Sequence, residues 1–360
     1  MASGLRRHNK LPSKMQNPEF KQKFDVMVES AEKILVTTHE KPDPDAIGCV
    51  LAVREYLVSN FSGKEVQVTI SGAKTKAWDF LSMAKHIVWV EDVFAELEKF
   101  DLAIFLDASQ LSRFTPNEPP EKLDIKSICI DHHSNEPDNF DLIFLDSTAV
   151  SASELVYEAL FQDSEELSKE VAEIIMTGII GDSGSFRFVG PRNVRVLSTA
   201  RELVERAQLE IKPVVLNTIK IDRQQFELMQ ILVKNIYFVE AANGIPAFVY
   251  SYFPKEVLNS GVEMQLIKLT KNSFLFDYIG KVTGYDWGFV ANPQSETVWG
   301  ISFRSGPGGP NVKLLTNKLN GGGHIFAAGG EIEVDSGLGA EAVCEKVISV
   351  IREGVEIMTQ

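Results

Sequence analysis

The chain has 360 residues, of which 44% are hydrophobic and 24% are charged, and it carries a formal net charge of -14. This composition is that of a globular protein long enough for two domains, and no apolar run approaches the roughly 18 residues of a membrane span. The negative charge argues against a protein that binds long nucleic acid through a basic face. A small or short phosphate substrate stays open, because bound divalent cations can make a site locally positive.

Two features bear on where the protein works. Its three cysteines, Cys49, Cys129 and Cys344, are far apart, which is not the pattern of a disulfide framework. The first residues lack the apolar segment of a secretory signal. We therefore expect a cytoplasmic protein without a membrane segment.

The first half of the chain has the pattern of an α/β protein. Residues 1–20 are polar and basic and predict a loose tail. Short β-rich runs then alternate with helical periodicity, which predicts a mostly parallel sheet flanked by helices. The predicted strands are 33–38, 66–71, 87–90, 102–107, 127–131 and 141–145. The predicted helices are 46–58, 151–160, 168–180 and 193–208, the second of which opens with the capping box Ser151-Ala152-Ser153-Glu154.

The second half predicts a smaller α/β domain. A charged, glutamine-rich stretch lies within 211–235 and predicts a linker helix. Beyond it, the pattern predicts strands at 245–252, 276–283, 286–291 and 298–303 and a helix near 310–319. We therefore expect a catalytic domain at 25–210, the linker helix at 211–235, and a second domain at 236–355, with a cleft between the two domains.

Four apolar runs each end in side chains that can bind a metal. His39 and Asp107 follow predicted strands, Asp131-His132-His133 ends another strand, and Asp182 follows a predicted helix. Because the carboxyl ends of parallel strands meet at one edge of a sheet, these side chains predict a single site there.

The turn after the first strand adds two carboxylates, Asp43 and Asp45, which can project to the same side of a proline-flanked segment. Taken singly, these residues have ordinary explanations, such as Asp45 capping the helix or Asp107 stabilising a turn. Taken together, mixed imidazole and carboxylate ligands favour a transition-type divalent ion. Four aspartates would balance two such ions, so we expect two divalent cations, with Mn²⁺ favoured and Mg²⁺ or Co²⁺ compatible.

In chain order these segments resemble the four motifs of the DHH phosphoesterases. The matching residues are His39-x-x-Pro42-Asp43-x-Asp45, Asp107, Asp131-His132-His133 and Gly181-Asp182-Ser183-Gly184. The resemblance implies two ion sites that share Asp107: one held by His39, Asp43 and Asp107, the other by Asp45, Asp107, His132 and Asp182. It also implies that Asp131 orients a ligand imidazole and that His133 faces the substrate or the leaving group, so that both act in catalysis.

Near the C-terminus, Gly321-Gly322-Gly323-His324 could offer backbone N–H groups to an anion as a nest. Arg304, followed by Ser305, ends a predicted strand with a group suited to phosphate. A flexible turn and a surface arginine are the ordinary alternatives. These segments resemble the DHH-associated C-terminal domain. The residues expected to bind substrate are Arg304, Ser305, Gly322, Gly323, His324 and, from the first domain, Arg113.

The resemblance is strongest to the NrnA-type subgroup of bacterial nanoRNases and 3′-phosphoadenosine 5′-phosphate phosphatases. It implies a phosphoesterase that hydrolyses short oligonucleotides (nanoRNA, or linear dinucleotides such as pApA), 3′-phosphoadenosine 5′-phosphate, or both, with a water that two ions activate. A phosphodiesterase of cyclic dinucleotides such as c-di-AMP is the alternative. The intact ligand set disfavours a non-catalytic nucleotide-binding regulator. A homodimer is compatible with the sequence, although no feature requires one.

Overall fold

The computed structural model describes residues 17–354, which divide into two compact units at Lys220 and Ile221. Each unit contains a six-stranded sheet with helices, so the predicted α/β class is confirmed. Within the described residues, no helix combines the length and the apolar character that crossing a bilayer requires.

The sheet of the first unit is parallel throughout. Its strands are β1 (Lys33–Thr38), β2 (Glu65–Ser71), β3 (Ile87–Val90), β4 (Leu102–Leu106), β5 (Lys126–Asp131) and β6 (Leu142–Leu145). All six agree with the predicted strands to within one residue at each end. The strand order is β3-β2-β1-β4-β5-β6, so the direction of winding reverses between β1 and β4. Ligands bind to sheets of this kind at the carboxyl ends of the strands that flank such a switch point.

Six helices of the first unit lie within residues 17–220. They are α1 (Asn17–Ser30), α2 (Pro44–Asn60), α3 (Ala152–Val156), α4 (Lys169–Asp182), α5 (Val196–Ala207) and α6 (Ile211–Thr218). A π-helical turn, Tyr157–Phe161, continues α3, and 3₁₀ turns occur at Ser82–His86, Val93–Lys99 and Leu111–Arg113.

Helix α1 corrects part of the predicted tail. Residues 17–20 begin a helix because Phe20 and Phe24 are completely buried in the core, where Phe20 stacks on Phe144 with ring centroids 4.8 Å apart. The rest of the predicted tail, residues 1–16, lies outside the described residues.

Helices α2 and α4 approach closely because glycine stands where they meet. A Cβ on Gly48 of α2 would lie 3.0 Å from the carbonyl oxygen of Ile174 and 3.2 Å from the backbone nitrogen of Gly178, both in α4. A Cβ on Gly181, near the end of α4, would lie 2.7 Å from Cβ of Pro44, the first residue of α2. The packing therefore sets the start of α2 against the end of α4.

The second unit has a mixed sheet in the order β11-β12-β10-β9-β8-β7, in which only β8 and β9 pair in parallel. Its strands are β7 (Tyr237–Val239), β8 (Phe248–Tyr252), β9 (Trp287–Pro293), β10 (Val298–Ser305), β11 (Gly322–His324) and β12 (Ala327–Glu333). Its helices are α7 (Arg223–Lys234), α8 (Met264–Asp277), α9 (Val312–Thr316) and α10 (Ala340–Glu353), with 3₁₀ turns at Lys255–Asn259 and Asn317–Leu319.

The secondary structure differs from two of the sequence predictions. Residues 276–283 do not form a strand, because α8 continues to Asp277 and buries Ile267, Phe274 and Leu275 at helical spacing. Residues 211–235 form two helices, α6 and α7, rather than one, and a new N-cap at Asp222 begins the second.

The two faces of this sheet pack on different helices. Phe289 and Phe303 lie in a core with α10, whereas Val249 and Val290 lie in a core with α7 and α8. Arg304 pairs with Gly288 of β9, and Gly288 pairs with Val249 of β8. Since directly paired residues share a face, Arg304 is on the side of the sheet that carries α7 and α8.

Candidate active site

The switch point of the first sheet gathers the six predicted metal ligands. His39 follows β1, Asp107 follows β4 and His132 follows β5. Asp43 and Asp45 lie at the start of α2, and Asp182 is the last residue of α4. The side chains form two separate groups, in each of which the ligand atoms lie within 4.8 Å of one another: His39, Asp43 and Asp107 in one, and Asp45, His132 and Asp182 in the other. A further group, Asp107, His132 and His133, shares one residue with each of them.

Asp107 lies between the two groups. Its Oδ2 is 3.4 Å from Nε2 of His39, and its Oδ1 is 3.4 Å from Nε2 of His132. The backbone supports this placement, because Asp107 has φ +60° and donates its N–H to the carbonyl of Ile130 at 3.0 Å. Aspartate tolerates such left-handed backbone better than most residues do. Asp107 therefore offers one carboxylate oxygen to each group.

The two aspartates of α2 have different supports. Asp43 is the N-cap, and its Oδ1 accepts the backbone N–H groups of Asp45 and Ala46, each at 3.0 Å. Asp45 is completely buried, and its two oxygens accept the N–H groups of Ala152 at 2.6 Å and Ser153 at 2.8 Å. The cap is thus Asp43 rather than Asp45, and the start of α3 holds the Asp45 carboxylate in place.

The second group centres on His132. Its Nε2 lies 3.2 Å from Oδ2 of Asp182 and 3.9 Å from Oδ2 of Asp45. The carboxylate of Asp182 stands at the C-terminal end of α4, where the helix dipole disfavours an anion. A bound cation would offset this unfavourable interaction.

The electrostatics show that the cluster lacks positive charge. Burial, followed by Asp107 and Asp182, raises the pKa of Asp45 well above its usual value, and the same causes raise the pKa of Asp43 to about 6. Against the effect of burial, His132 and His39 lower the pKa of Asp107 to about 2. Also against burial, Asp107 and Asp182 raise the pKa of His132 to about 11. The cluster therefore has four carboxylates but only two imidazoles that could balance their negative charge.

The residues fit divalent cations. Among the described residues, Oδ1 of Asp107 and Nε2 of His132 are buried without a hydrogen-bond partner, which is costly for polar atoms that no ligand satisfies. Both atoms belong to the groups described above. Imidazole nitrogen mixed with carboxylate oxygen suits transition-type divalent ions, and neither group includes a cysteine. The arrangement supports divalent metal use, as the sequence predicted.

Asp131 contacts His133, the last residue of the Asp131-His132-His133 triplet. Its Oδ1 is 2.7 Å from Nδ1 of His133 and accepts the His133 backbone N–H at 3.1 Å, so it orients His133 rather than the ligand imidazole of His132. Asp131 is completely buried while His133 is exposed, and the Asp131 carboxylate is the main cause that raises the pKa of His133.

The predicted substrate residues are placed in both units. In the first unit, Arg113 is exposed, and its carbonyl accepts the N–H of Glu40 at 2.8 Å, which fixes its turn beside the His39 segment. In the second unit, Arg304 and His324 both pair with Ala327 and share one face of the sheet. Ser305 pairs with Trp287 on the opposite face, so the structure does not bring its hydroxyl together with Arg304.

The glycine run is an edge strand rather than a nest. Gly322, Gly323 and His324 form β11, which pairs with β12. Gly323 has φ +138°, and a Cβ there would lie 2.6 Å from the carbonyl oxygen of Ala327, so this position requires glycine. A Cβ on Gly322 would meet no atom within 4 Å. Gly322 therefore leaves open space beside His324.

Sequence reasoning missed two supports of the site. The backbone of Ala152 and Ser153 holds Asp45, and Gly178 makes room for this contact, because a Cβ there would lie 2.7 Å from Asp45 Oδ1. The capping box at Ser151 gave a signal for the start of α3, and its Oγ does accept the N–H of Glu154 at 3.0 Å. Nothing local in the sequence connects this helix start to Asp45.

The parallel sheet and five of the six candidate ligands lie in a part of the chain that matches a known family. Residues 33–179 match the DHH family, N-terminal domain. Over most of its length the chain is similar to NrnA proteins. It is 28% identical over 311 residues to the bifunctional oligoribonuclease and PAP phosphatase NrnA of Bacillus subtilis, an alignment that covers 84% of this chain and 90% of that protein.

Two further comparisons bear on fold and function. The chain is 24% identical to the cyclic-di-AMP phosphodiesterase GdpP of Geobacillus thermodenitrificans, over 85% of this chain but only 45% of that protein. The crystal structure of an exopolyphosphatase-related protein from Bacteroides fragilis has the same fold, with a TM-score of 0.73 at 23% identity over 95% of this chain and 98% of that one.

Proposed function

We propose that the protein is a two-metal phosphoesterase that hydrolyses very short oligonucleotides, such as nanoRNA and pApA, and 3′-phosphoadenosine 5′-phosphate. The position of Asp107 carries the proposal, because one carboxylate offers an oxygen to each of two ligand groups. The names of the NrnA relatives support the substrate class, since they describe oligoribonucleases and PAP phosphatases and match most of this chain.

Six residues would hold the ions. His39, Asp43 and Asp107 would hold one, and Asp45, Asp107, His132 and Asp182 the other, with Mn²⁺ favoured by the donor set. Two such ions supply a strong nucleophile at neutral pH and stabilise the charge that develops on a phosphoryl group. Two backbone N–H groups hold the Asp45 carboxylate in place.

The remaining residues would act on the substrate itself. His133 is exposed and its Nδ1 faces Asp131, so Nε2 is the atom that would give a proton to the leaving oxygen. Arg113 in the first unit, and Arg304, His324 and the open position at Gly322 in the second, would bind the nucleotide.

A cyclic dinucleotide phosphodiesterase is the second candidate. The match to GdpP favours it, but that match is less identical and spans under half of the relative. The NrnA match covers 90% of its relative and therefore gives stronger support to linear substrates. A cytoplasmic location and a homodimer stay predictions.

The test is Asp107→Asn in the full chain. Asparagine keeps the shape and tolerates the left-handed backbone at this position, so the fold should survive. Since loss of even an outer partner of a metal ligand costs about 10–100-fold, loss of the shared ligand should reduce Mn²⁺-dependent turnover of pApA by more than about 100-fold. The exposed Asp163→Asn is the matched control and should keep full turnover.

Substrate choice is tested with the wild-type chain and Mn²⁺. Turnover is compared on RNA 2-mers and 24-mers, pApA, 3′-phosphoadenosine 5′-phosphate and cyclic di-AMP. We expect the linear dinucleotides and 3′-phosphoadenosine 5′-phosphate to be hydrolysed fastest. Preference for the 24-mer would contradict the proposal, and preference for cyclic di-AMP would favour the second candidate.

A further inference from the structure

The backbone becomes left-handed soon after Asp182, the last residue of α4. Gly184, Ser185 and Phe186 follow one another with φ values of +57°, +58° and +66°. Glycine adopts this region freely, whereas serine and phenylalanine do so only at a cost in free energy. Residues held in such a conformation persist where surrounding contacts enforce it, and they are frequent at functional sites. The left-handed turn at 184–186 is therefore a strained segment next to a candidate metal ligand.

Ser183 closes the left-handed turn from inside the protein. Its side chain is completely buried, its Oγ accepts the N–H of Phe186 at 2.9 Å, and its carbonyl accepts the N–H of Phe188 at 3.0 Å. The N–H of Ser185 donates back to the carbonyl of Ile180 in α4 at 2.8 Å. The Phe186 ring packs against the core of the first unit. These contacts tie the turn both to the end of α4 and to the core.

Asp182 has little other support for its position. The carboxylates of Asp43 and Asp45 each accept two backbone N–H groups. Within residues 17–354, no backbone N–H donates to the carboxylate of Asp182, which lies 3.2 Å from Nε2 of His132. Its position therefore depends on the backbone that continues from α4 into the left-handed turn.

We propose that Ser183 and Ser185 are positioning residues for the ion that Asp182 would help to hold. This inference rests on the proposed function for the assignment of that ion. The left-handed turn keeps the Asp182 carboxylate beside His132, because Ser183 and the core leave the backbone no other path. Glycine at position 185 would permit the same turn and many other conformations, so the carboxylate would lose its fixed position. A relaxed turn would thus preserve the fold and weaken the ion site.

The test is Ser185→Gly in the full chain. Free Mn²⁺ is followed by electron paramagnetic resonance during a titration, and the metal-free protein is melted separately. Without metal, the variant should melt no lower than the wild type, because glycine removes strain at this φ. It should bind one of two Mn²⁺ ions about tenfold more weakly, the lower end of the loss expected when a metal ligand loses an outer support. Affinity for the other ion should be unchanged.

Three more variants separate positioning from general stability. Gln208→Gly is the matched control, since Gln208 is exposed and left-handed at φ +49° but follows α5, which carries none of the six candidate ligands. It should leave both Mn²⁺ affinities unchanged. Ser183→Ala removes the acceptor for the Phe186 N–H and should weaken the same ion as Ser185→Gly does. In an Asp182→Ala chain, which lacks the ligand that the turn positions, Ser185→Gly should reduce Mn²⁺ binding no further.

Three results would overturn the proposal: a wild type that binds no Mn²⁺, an unchanged Mn²⁺ affinity of Ser185→Gly, or an equal effect of Ser185→Gly in the wild-type and Asp182→Ala chains. The last result would mean that Ser185 only supports the fold. Binding is measured without substrate, so the outcome does not depend on catalysis. A chain that shows the expected Mn²⁺ affinities yet hydrolyses none of the tested substrates would contradict the proposed function alone.

Discussion

The contact between α2, α3 and α4 makes a sharp prediction for Gly178→Ala. The new methyl group would lie 2.0 Å from Ser153 Oγ, 2.7 Å from Ser153 Cβ and 2.7 Å from Asp45 Oδ1. Rotation of the Ser153 hydroxyl relieves the first clash only, because Cβ is fixed to the backbone. Either α3 or α4 must therefore move, and with it the Asp45 carboxylate that α3 holds.

The expected loss of stability follows from two opposing effects. Overpacking of a core typically costs about 1–3 kcal/mol and sometimes more, and a contact this short belongs at the upper end. Alanine in place of glycine within a helix returns about 1 kcal/mol. The net loss should be about 2 kcal/mol, which lowers the melting temperature of a unit of this size by about 4 to 8 °C.

Thermal melts with and without Mn²⁺ measure both consequences. The variant should melt lower without metal, and it should gain less from Mn²⁺, since a tenfold weaker site gives about 1.4 kcal/mol less stabilisation at saturation. Gly190→Ala is the control, because a Cβ there would meet no atom within 4 Å. A Gly178→Ala protein with wild-type melting temperature and an unchanged response to Mn²⁺ would refute this reasoning.

Three further outcomes are expected. Burial is the main cause that raises the pKa of the completely buried Glu154 to about 7, so the folded state holds this proton more tightly than the unfolded state does. The free energy of unfolding should therefore fall as pH rises from about 5 to 8. In urea denaturation, Glu154→Gln should make this pH dependence less steep. Arg195→Met removes the cation that bridges buried carboxylates and should lower the free energy of unfolding by about 2 kcal/mol or more. Arg201→Met, at an exposed ion pair on a helix, should lower it by under about 0.5 kcal/mol. Equal denaturation midpoints of the two variants would contradict this prediction. Gly323→Ala should destabilise the β11–β12 hairpin and lower the melting temperature. Gly322→Ala should leave the melting temperature unchanged and raise only the KM for pApA. Equal melting temperatures of the two variants would argue against the register of β11 and β12.

The sequence predicted the first sheet well for a physical reason. Strands that are buried on both faces are nearly continuous apolar runs, so their ends are easy to read. His39, Asp107 and His132 stand directly after such runs, and parallel strands place their carboxyl ends together. Their position at the strand ends therefore predicts that these side chains lie at one edge of the sheet.

One error came from side-chain direction and could have been avoided. Adjacent residues of a strand point to opposite faces, so Arg304 and Ser305 could not both face one ligand. A second miss, helix α1, also had a signal, since Phe20 and Phe24 are spaced for one helix face.

Other features depend on contacts that no local pattern encodes. Residues 276–283 have a strand-like composition, but the burial of Phe274 in α8 decides the outcome. Asp45 receives its backbone support from residues more than 100 positions away.

The order of strands in the first sheet also sets when the protein can bind metal as it folds. His39 and Asp107 are neighbours only after β1 has paired with β4, which leaves β2 and β3 on the other side. Asp182 joins them after α4 has closed a chain segment that extends from position 39 to position 182. Closure over such a distance is a late and slow event. Metal ions should therefore stabilise the unit only after it has folded. They should slow unfolding many-fold and leave the rate of folding nearly unchanged.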